Sequence, residues 1–177
     1  MPARLLVTGD THLGARRNWL PAELDFALST AELIVHTGDF STLDAYQLFQ
    51  GYGELVAVAG NNDDPQFAAT LPDRVTLEAG GRTIAIVHGH LERGPSAKAA
   101  VVREFAGRVD LVIFGHSHQP EWEEVQGTWF LNPGSPTMKR RAPHFSFATI
   151  EIDRDGEFAA RHVYFDEQIA PAHQRSG

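Results

Sequence analysis

Five short apolar runs, each followed by glycine and a polar side chain, constrain this chain more than any other feature of its sequence. Each run is rich in β-branched residues and apolar on both faces, which is typical of a strand buried on both sides. The polar residue that follows is an Asp, Asn or His, which can bind a metal or a proton. The runs occupy residues 4–8, 32–36, 55–59, 83–87 and 111–114.

Segments with helical character lie between these runs. Residues 21–28 begin with Pro21 and carry Glu23 two positions later, which suits a first helical turn. Residues 96–106 begin with Ser, carry apolar side chains at helical spacing and stop before Gly107, and residues 43–49 form a third candidate. The alternation of strand and helix predicts an α/β fold built from βαβ units around a largely parallel sheet.

The last third of the chain has a different pattern. Residues 122–125, 128–131, 145–152 and 158–165 are strand-like and are separated by turn sequences, which predicts antiparallel strands joined by hairpins. We expect a single domain over residues 1–168. Residues 169–177 show no periodicity, and we expect them to be a mobile tail.

Composition narrows the functional classes. The chain has no Cys, which excludes disulfides, a Cys nucleophile and metals held by thiolates. A net charge of −8 argues against a broad nucleic-acid footprint, which needs a basic face. No apolar run is long enough to cross a bilayer, and residues 1–7 lead straight into a strand rather than resembling a signal peptide. We therefore expect a cytoplasmic protein without membrane partners.

The polar residues at the strand ends are candidate metal ligands. Ligands of open α/β sheets bind outside the carboxyl ends of the strands, where these side chains would meet. One Gly-Asp dipeptide is usually a turn or a helix cap, but five such features after buried strands are hard to explain as turns. Imidazole and carboxylate suit a pair of divalent ions: manganese first, with iron, zinc, nickel, cobalt or magnesium as alternatives. The candidates are Asp10, His12, Asp39, Asn61, His88, His116 and His118.

Five motifs follow one another in a fixed order: Asp10-x-His12, Gly38-Asp39, Gly60-Asn61-x-Asp63, His88-Gly89 and Gly115-His116-x-His118. Together they resemble the ordered motifs of the calcineurin-like metallophosphoesterases. The Asn-Pro-Gly-Ser segment at residues 132–135 further resembles the small bacterial and archaeal phosphodiesterase branch of that superfamily. That branch is also similar to the retromer subunit vacuolar protein sorting 29.

The resemblance implies a fold and a role for each candidate. The fold would be two facing mixed β-sheets flanked by helices. The activity would be hydrolysis of a small phosphodiester by a hydroxide bridging two ions. Asp10, His12 and His118 would hold the first ion, and Asp39 would bridge. The second ion would be held by Asn61, His88 and His116.

One position departs from the family pattern. Many members have a His after the motif Asn, where it can contact phosphate or protonate the leaving group, but this chain has Asn62. An amide cannot act as a general acid near neutral pH, so we expect weaker activity on poor leaving groups. Asp63 is expected to orient a neighbouring loop or ligand. His90 either contacts the substrate or a ligand, or only forms a turn.

Several features allow two interpretations. His36 is either a packing residue or a functional one, and residues 132–135 either line the site or form a structural turn. The basic residues 139–141 either guide a phosphate or form a solvated face. Trp122 and Trp129 either pack in the core or form an interface with a partner. The sequence does not decide whether the protein forms a homo-oligomer. The alternatives to an enzyme of small phosphoesters are a scaffolding module on the same fold and a nuclease, the latter disfavoured by the acidic charge.

Overall fold

The computed structural model describes residues 3–14 and 18–172. Ten strands and four helices lie in this part of the chain. The strands are β1 (Ala3–Thr8), β2 (Leu33–His36), β3 (Leu55–Ala57), β4 (Arg74–Ala79), β5 (Arg82–Val87), β6 (Leu111–Phe114), β7 (Pro120–Val125), β8 (Thr128–Pro133), β9 (Phe145–Ile152) and β10 (Phe158–Phe165). The helices are α1 (Ala22–Leu28), α2 (Leu43–Gln50), α3 (Pro65–Ala68) and α4 (Ala97–Phe105).

The strands form two five-stranded sheets. The first has the order β10-β9-β1-β2-β3 and the second β4-β5-β6-β8-β7. In the first sheet β1, β2 and β3 pair in parallel, and β9 returns antiparallel to β1. In the second sheet β5, β6 and β8 pair in parallel, while β4 and β7 are antiparallel at the edges. The carboxyl ends of the parallel strands therefore lie side by side at one end of each sheet.

Alternate residues of each strand face different layers of the molecule. Leu5, Val7 and Val35 of the first sheet share an apolar cluster with Ile86 and Ile113 of the second, so the two sheets pack face to face. Burying a side chain of this size contributes about 1.5–3 kcal/mol. The expected pair of facing mixed sheets is confirmed.

The outer faces of the sheets are covered by helices. Leu6 and Ile34 of the first sheet pack in one cluster with Leu24 of α1 and Phe49 of α2. On the outer face of the second sheet, Val101 and Phe105 of α4 pack in a cluster with Val112 and Phe114 of β6. Two helices begin at hydroxyl caps, since Thr42 accepts from Ala45 N and Ser96 from Ala99 N, each at 3.2 Å. The layers are thus helix, sheet, sheet and helix.

The expectation of a largely parallel sheet, drawn from the alternation of strand and helix, was wrong. Each sheet contains two parallel and two antiparallel pairings. Two elements were also missing from the sequence interpretation. Strand β4 lies at a sheet edge and only partly buries one of its faces, and helix α3 has four residues, capped by Asp64. Neither gives a long apolar run.

The end of the chain and the edge aromatic residues can be placed in part. Ala22 N donates to Ile169 O at 2.8 Å, so the segment expected to be a tail starts with a contact to α1. Residues 173–177 of that segment lie outside the described residues. Trp122 and Trp129 stack with their ring centroids 4.4 Å apart and pack against the cluster between the sheets. Within the described ranges, no helix is both long and apolar enough to cross a membrane.

Candidate metal centre

The loops at the carboxyl ends of the strands meet at one place. Asp10 and Asp39 lie in the loops after β1 and β2, and Asp10 N donates to Gly38 O at 2.9 Å. His12 N donates to Asp39 O at 2.9 Å. In the second sheet, Gly115 N donates to His88 O at 3.1 Å. These backbone bonds fix the loops after β1 and β2 to each other, and those after β5 and β6 to each other.

Most of the predicted ligands have an unusual backbone conformation. Five of the seven have a positive φ, in the left-handed region that non-glycine residues seldom adopt. Asp, Asn and His tolerate this region better than other residues do, and such strain tends to occur at functional sites. The five are Asp10 (52°), His12 (44°), Asp39 (60°), His116 (68°) and His118 (60°).

One group of ligand atoms is compact enough to hold an ion. One ligand atom from each of Asp10, His12, Asp39 and His118 lies within 4.8 Å of the others. His118 Nε2 lies 3.3 Å from Asp10 Oδ1 and from His12 Nε2. His12 Nε2 lies 3.5 Å from Asp39 Oδ2. Four nitrogen and oxygen donors therefore converge on one point.

A second group shares Asp39 with the first. His88 Nε2 lies 3.4 Å from Asp39 Oδ2 and 3.1 Å from Asn61 Oδ1. The His116 ring is 5.1 Å from that of His88, and its Nδ1 is buried without a hydrogen bond. Asp10 Oδ1 is likewise buried without one. Buried polar atoms without partners are costly, so these two point to a missing positive partner.

Hydrogen bonds orient two of the imidazoles. His88 Nδ1 donates to Thr37 O at 2.7 Å, and His118 Nδ1 donates to Met138 O. Because a carbonyl oxygen only accepts, each Nδ1 carries the hydrogen and each Nε2 is directed at the centre. This arrangement, in which the far nitrogen of the ring is anchored, is typical of metal-binding histidines.

Burial and neighbouring charges shift the pKa values of the centre. Burial raises the pKa of the Asp10 carboxyl to about 7, with the Asp39 charge adding to the effect. Burial also works against ionised Asp39, but the hydrogen bond and charge of a protonated His88, followed by the hydrogen bonds of Asn62, outweigh it and hold the pKa of Asp39 well below its usual range. The pKa of His88 is correspondingly raised, since burial is outweighed by Asp39, Asp10 and the Thr37 carbonyl, so a metal ion would displace the proton on its Nε2. Burial lowers the pKa of His118 to about 4 and lowers that of His12 and His116. A neutral imidazole is the form that binds a metal.

Asn62 and Asp63 both hold the Asp39 loop. The backbone N of Asn62 donates to Asp39 Oδ1 at 2.8 Å, and its Nδ2 donates to Asp39 Oδ2 at 2.7 Å. Asp63 accepts from the backbone of three residues: Asp39, Gly60 and Ser41, at 3.2, 2.7 and 2.8 Å. The carboxylate of Asp63 therefore fastens the loop after β3 to the loop after β2.

His90 and His36 have different surroundings. The His90 ring lies 5.2 Å from that of His88 and 6.4 Å from that of His116, with Nδ1 buried and without a hydrogen bond. His36 is fully buried, stacks on Phe40 at 3.5 Å and accepts from Gly38 N through Nδ1. His36 is thus a packing residue at a strand end, while His90 lies beside the centre.

The structure shows how residues 132–135, one of the two open alternatives of the sequence analysis, contact the centre, and it adds Thr137. Asn132 Nδ2 donates to Gly115 O at 2.9 Å, and Ser135 Oγ donates to Asp10 O at 2.8 Å. Thr137 Oγ1 donates to Thr11 O at 2.6 Å. The segment 132–137 thus joins loops from both sheets. Its only signal in the sequence was the Asn-Pro-Gly-Ser motif.

Comparison with known proteins identifies the class to which this fold and centre belong. A family model described as calcineurin-like phosphoesterase superfamily domain matches residues 4–155. The chain therefore belongs to the calcineurin-like phosphoesterase superfamily. It is 34% identical over 136 residues to a probable metallophosphoesterase of Methanocaldococcus jannaschii, and the match covers 76% of this chain and 68% of the relative.

Solved structures show the same fold. Vacuolar protein sorting 29 of Entamoeba histolytica, complexed with zinc, is 28% identical with a TM-score of 0.69, over 92% of this chain and 99% of the other. An archaeal phosphodiesterase is 22% identical with a TM-score of 0.66, again over 92% and 99%. At that identity the second match supports the fold alone.

Proposed function

We propose that this protein is a phosphodiesterase that uses two divalent ions, manganese being the first choice, to hydrolyse a small phosphodiester. The observation that carries the proposal is the pair of ligand groups on either side of Asp39. Its Oδ2 lies 3.5 Å from His12 Nε2 and 3.4 Å from His88 Nε2. One carboxylate between two sets of donors is the arrangement that a two-metal site requires.

The donor set fits such ions. Asp10, His12 and His118 would hold one ion together with Asp39. Asn61, His88 and His116 would hold the other, also with Asp39. The buried, unbonded Asp10 Oδ1 and His116 Nδ1 would gain the partner that they lack. When bound, the two ions would supply an activated water and positive charge to offset charge that develops on the phosphoryl group.

The remaining residues of the centre position the ligands. Asp63 holds the loops of Asp39 and Asn61 through backbone hydrogen bonds. Asn62 donates to Asp39 and has no acidic proton to give, so it cannot protonate the leaving group. His90 lies on the His88 and His116 side, where its ring would contact a bound phosphoester. We infer that substrates with good leaving groups are hydrolysed fastest.

Chelation tests the proposal. Protein treated with EDTA and dialysed should lose turnover of bis(p-nitrophenyl) phosphate by at least about 100-fold, and Mn²⁺ should restore it. An Asp39→Asn variant should stay inactive with Mn²⁺, whereas a His144→Gln variant, altered at an exposed His that contacts Asp166 and Tyr164, should behave as wild type. Full activity after chelation would refute the proposal.

The second candidate is a binding module, because the likeness to vacuolar protein sorting 29 extends over 92% of this chain. Metal content alone does not separate the two functions, since that neighbour itself has a zinc complex. Turnover does separate them. If the protein carries two ions per chain yet hydrolyses no member of a panel of phosphomonoesters and phosphodiesters, the binding module is favoured.

A further inference from the structure

Three consecutive basic residues, 139–141, follow the segment that joins the two sheets. Lys139 is engaged locally, since its Nζ donates to Pro143 O at 2.8 Å and lies 5.1 Å from the centre of the Phe145 ring. Within residues 3–14 and 18–172, the guanidinium groups of Arg140 and Arg141 form neither an ion pair nor a hydrogen bond. Two exposed cations are therefore free to meet a ligand.

The backbone that carries Arg140 is fixed to the metal centre. Ser135 Oγ and Thr137 Oγ1 donate to the carbonyls of Asp10 and Thr11. Met138 N donates to Ser135 Oγ at 2.9 Å, and Met138 O accepts from His118 Nδ1. Arg140 thus lies two residues after Met138, whose carbonyl oxygen accepts from the predicted ligand His118. Arg140 has a left-handed φ of 49° and lies within the turn that Ala142 N closes on Lys139 O.

The positive charge of Arg140 affects the pKa values of four predicted ligands. After burial, which is the largest influence, it is one of the charges that lower the pKa values of Asp10, His12, His116 and His118. In a chain of net charge −8, Arg140 thus places one positive charge near the site where a phosphate would bind. Lys139 is instead engaged by Pro143 O and the Phe145 ring, and Arg140 is nearer than Arg141 along the chain to the anchored Met138.

Resting on the proposed function, we propose that the Arg140 guanidinium binds a phosphoryl oxygen of the substrate on the His12 and His118 side of the centre. A guanidinium presents paired donors that match two phosphate oxygens, whereas an ammonium is a single point of charge. Arg140 therefore sets affinity for the phosphoryl group, and Lys139 and Arg141 do not.

Inorganic phosphate is the probe for this assignment. Its affinity for Mn²⁺-loaded protein would be measured by titration calorimetry for wild type, Arg140→Ala, Arg140→Lys and the matched control Arg141→Ala. We expect Arg140→Ala to weaken phosphate binding by about 10- to 100-fold, with bound metal unchanged by elemental analysis. Arg140→Lys should recover part of this loss. Arg141→Ala removes the same charge from the neighbouring position. Its phosphate affinity should stay within about twofold of wild type, because the proposal gives Arg141 no contact with the phosphoryl group.

The outcomes separate this assignment from the proposed function. Equal losses in Arg140→Ala and Arg141→Ala, or no loss in either, would overturn the role of Arg140. Selective loss of phosphate affinity in Arg140→Ala supports it, even if wild type hydrolyses no ester. In that case only the proposed activity fails, and Arg140 remains the phosphate-binding residue of a binding module.

Discussion

At the residue scale, the chemistry of each ligand position and its backbone geometry agree. Asp10, Asp39 and His118 all have a left-handed φ, which places their side chains at the edge where the strands end. These residue types tolerate the conformation, so the same residue can serve both the turn and the proposed metal site. A turn and a ligand therefore look alike in sequence, and only the combination of five motifs separated them.

Asn62 is the residue whose role the structure changes most. The sequence interpretation treated it as a missing acid. Its Nδ2 in fact donates to Asp39 Oδ2 at 2.7 Å, so the amide supports the carboxylate between the two ligand groups. This contact depends on how the loops after β2 and β3 meet, and no sequence pattern describes that.

Replacing Asn62 with His should restore a group able to protonate the leaving oxygen. We expect Asn62→His to raise kcat/KM by about 10-fold or more on diesters with alkyl leaving groups, since general acid catalysis contributes about 10²–10⁴-fold at full efficiency. Nitrophenyl diesters, which need little protonation, should change little. Asn62→Gln, which keeps the amide, is the control. An unchanged ratio of alkyl to nitrophenyl rates in Asn62→His would contradict the assignment.

At the scale of elements, the sequence predicted the strands better than their pairing. Strands β6, β9 and β10 have the predicted bounds, and β1 and β5 differ from them by one residue at their start. Their apolar runs are local signals. The return of β9 to lie antiparallel beside β1 is a contact between distant parts of the chain, so periodicity does not encode it.

The loops after the strands approach so closely that one glycine has no room for a side chain. A Cβ at Gly60 would lie 2.2 Å from both the backbone N and the Oδ1 of Asp39. The glycine before Asn61 thus allows the loop after β3 to reach Asp39. The glycines before the polar residues were visible in the sequence, but this distance was not.

Gly60→Ala should consequently disturb both folding and the centre. We expect the free energy of unfolding to fall by about 1–3 kcal/mol or more, because the clash is with backbone and with a buried carboxylate. Affinity for Mn²⁺ should fall as well, since Asp39 must move. Gly14→Ala is the matched control: no described atom lies within 4 Å of its added Cβ, so its stability should be unchanged or higher by up to about 1 kcal/mol. Denaturant titration and calorimetry measure both effects. Equal behaviour of the two variants would contradict the packing argument.

At the scale of the whole molecule, the centre is shared between the two sheets. Asp10, Asp39 and Asn61 follow strands of the first sheet, while His88 and His116 follow strands of the second. The predicted ligand set is complete only when the sheets pack face to face. Bound ions would therefore stabilise the docked sheets as well as the loops, because binding to the native state alone shifts the folding equilibrium.

Global unfolding also releases the buried histidines to water, and His36 provides the clearest case. Burial lowers the pKa of His36 well below its ordinary value, and its Nδ1 accepts from Gly38 N while Nε2 donates to Thr11 Oγ1. The native state thus keeps this ring neutral. The unfolded chain binds a proton there below a pH of about 6.5. The stability that depends on His36 is therefore fully present above that pH and is lost as the pH falls below it.

His36→Gln removes the titrating group and should reduce this acid sensitivity. Between pH 7 and pH 5 in EDTA, wild type should lose about 2 kcal/mol more free energy of unfolding than the variant does, as follows from a group with an unfolded pKa of about 6.5 that stays neutral when folded. The variant will be less stable at pH 7, because Gln lacks the ring that stacks on Phe40 at 3.5 Å. The informative quantity is therefore the difference in free energy of unfolding between wild type and variant, and how that difference changes with pH. Urea unfolding at several pH values measures it. Parallel curves would mean that His36 takes up its proton in the native state, and that the strand end beside the centre is not closed to protons.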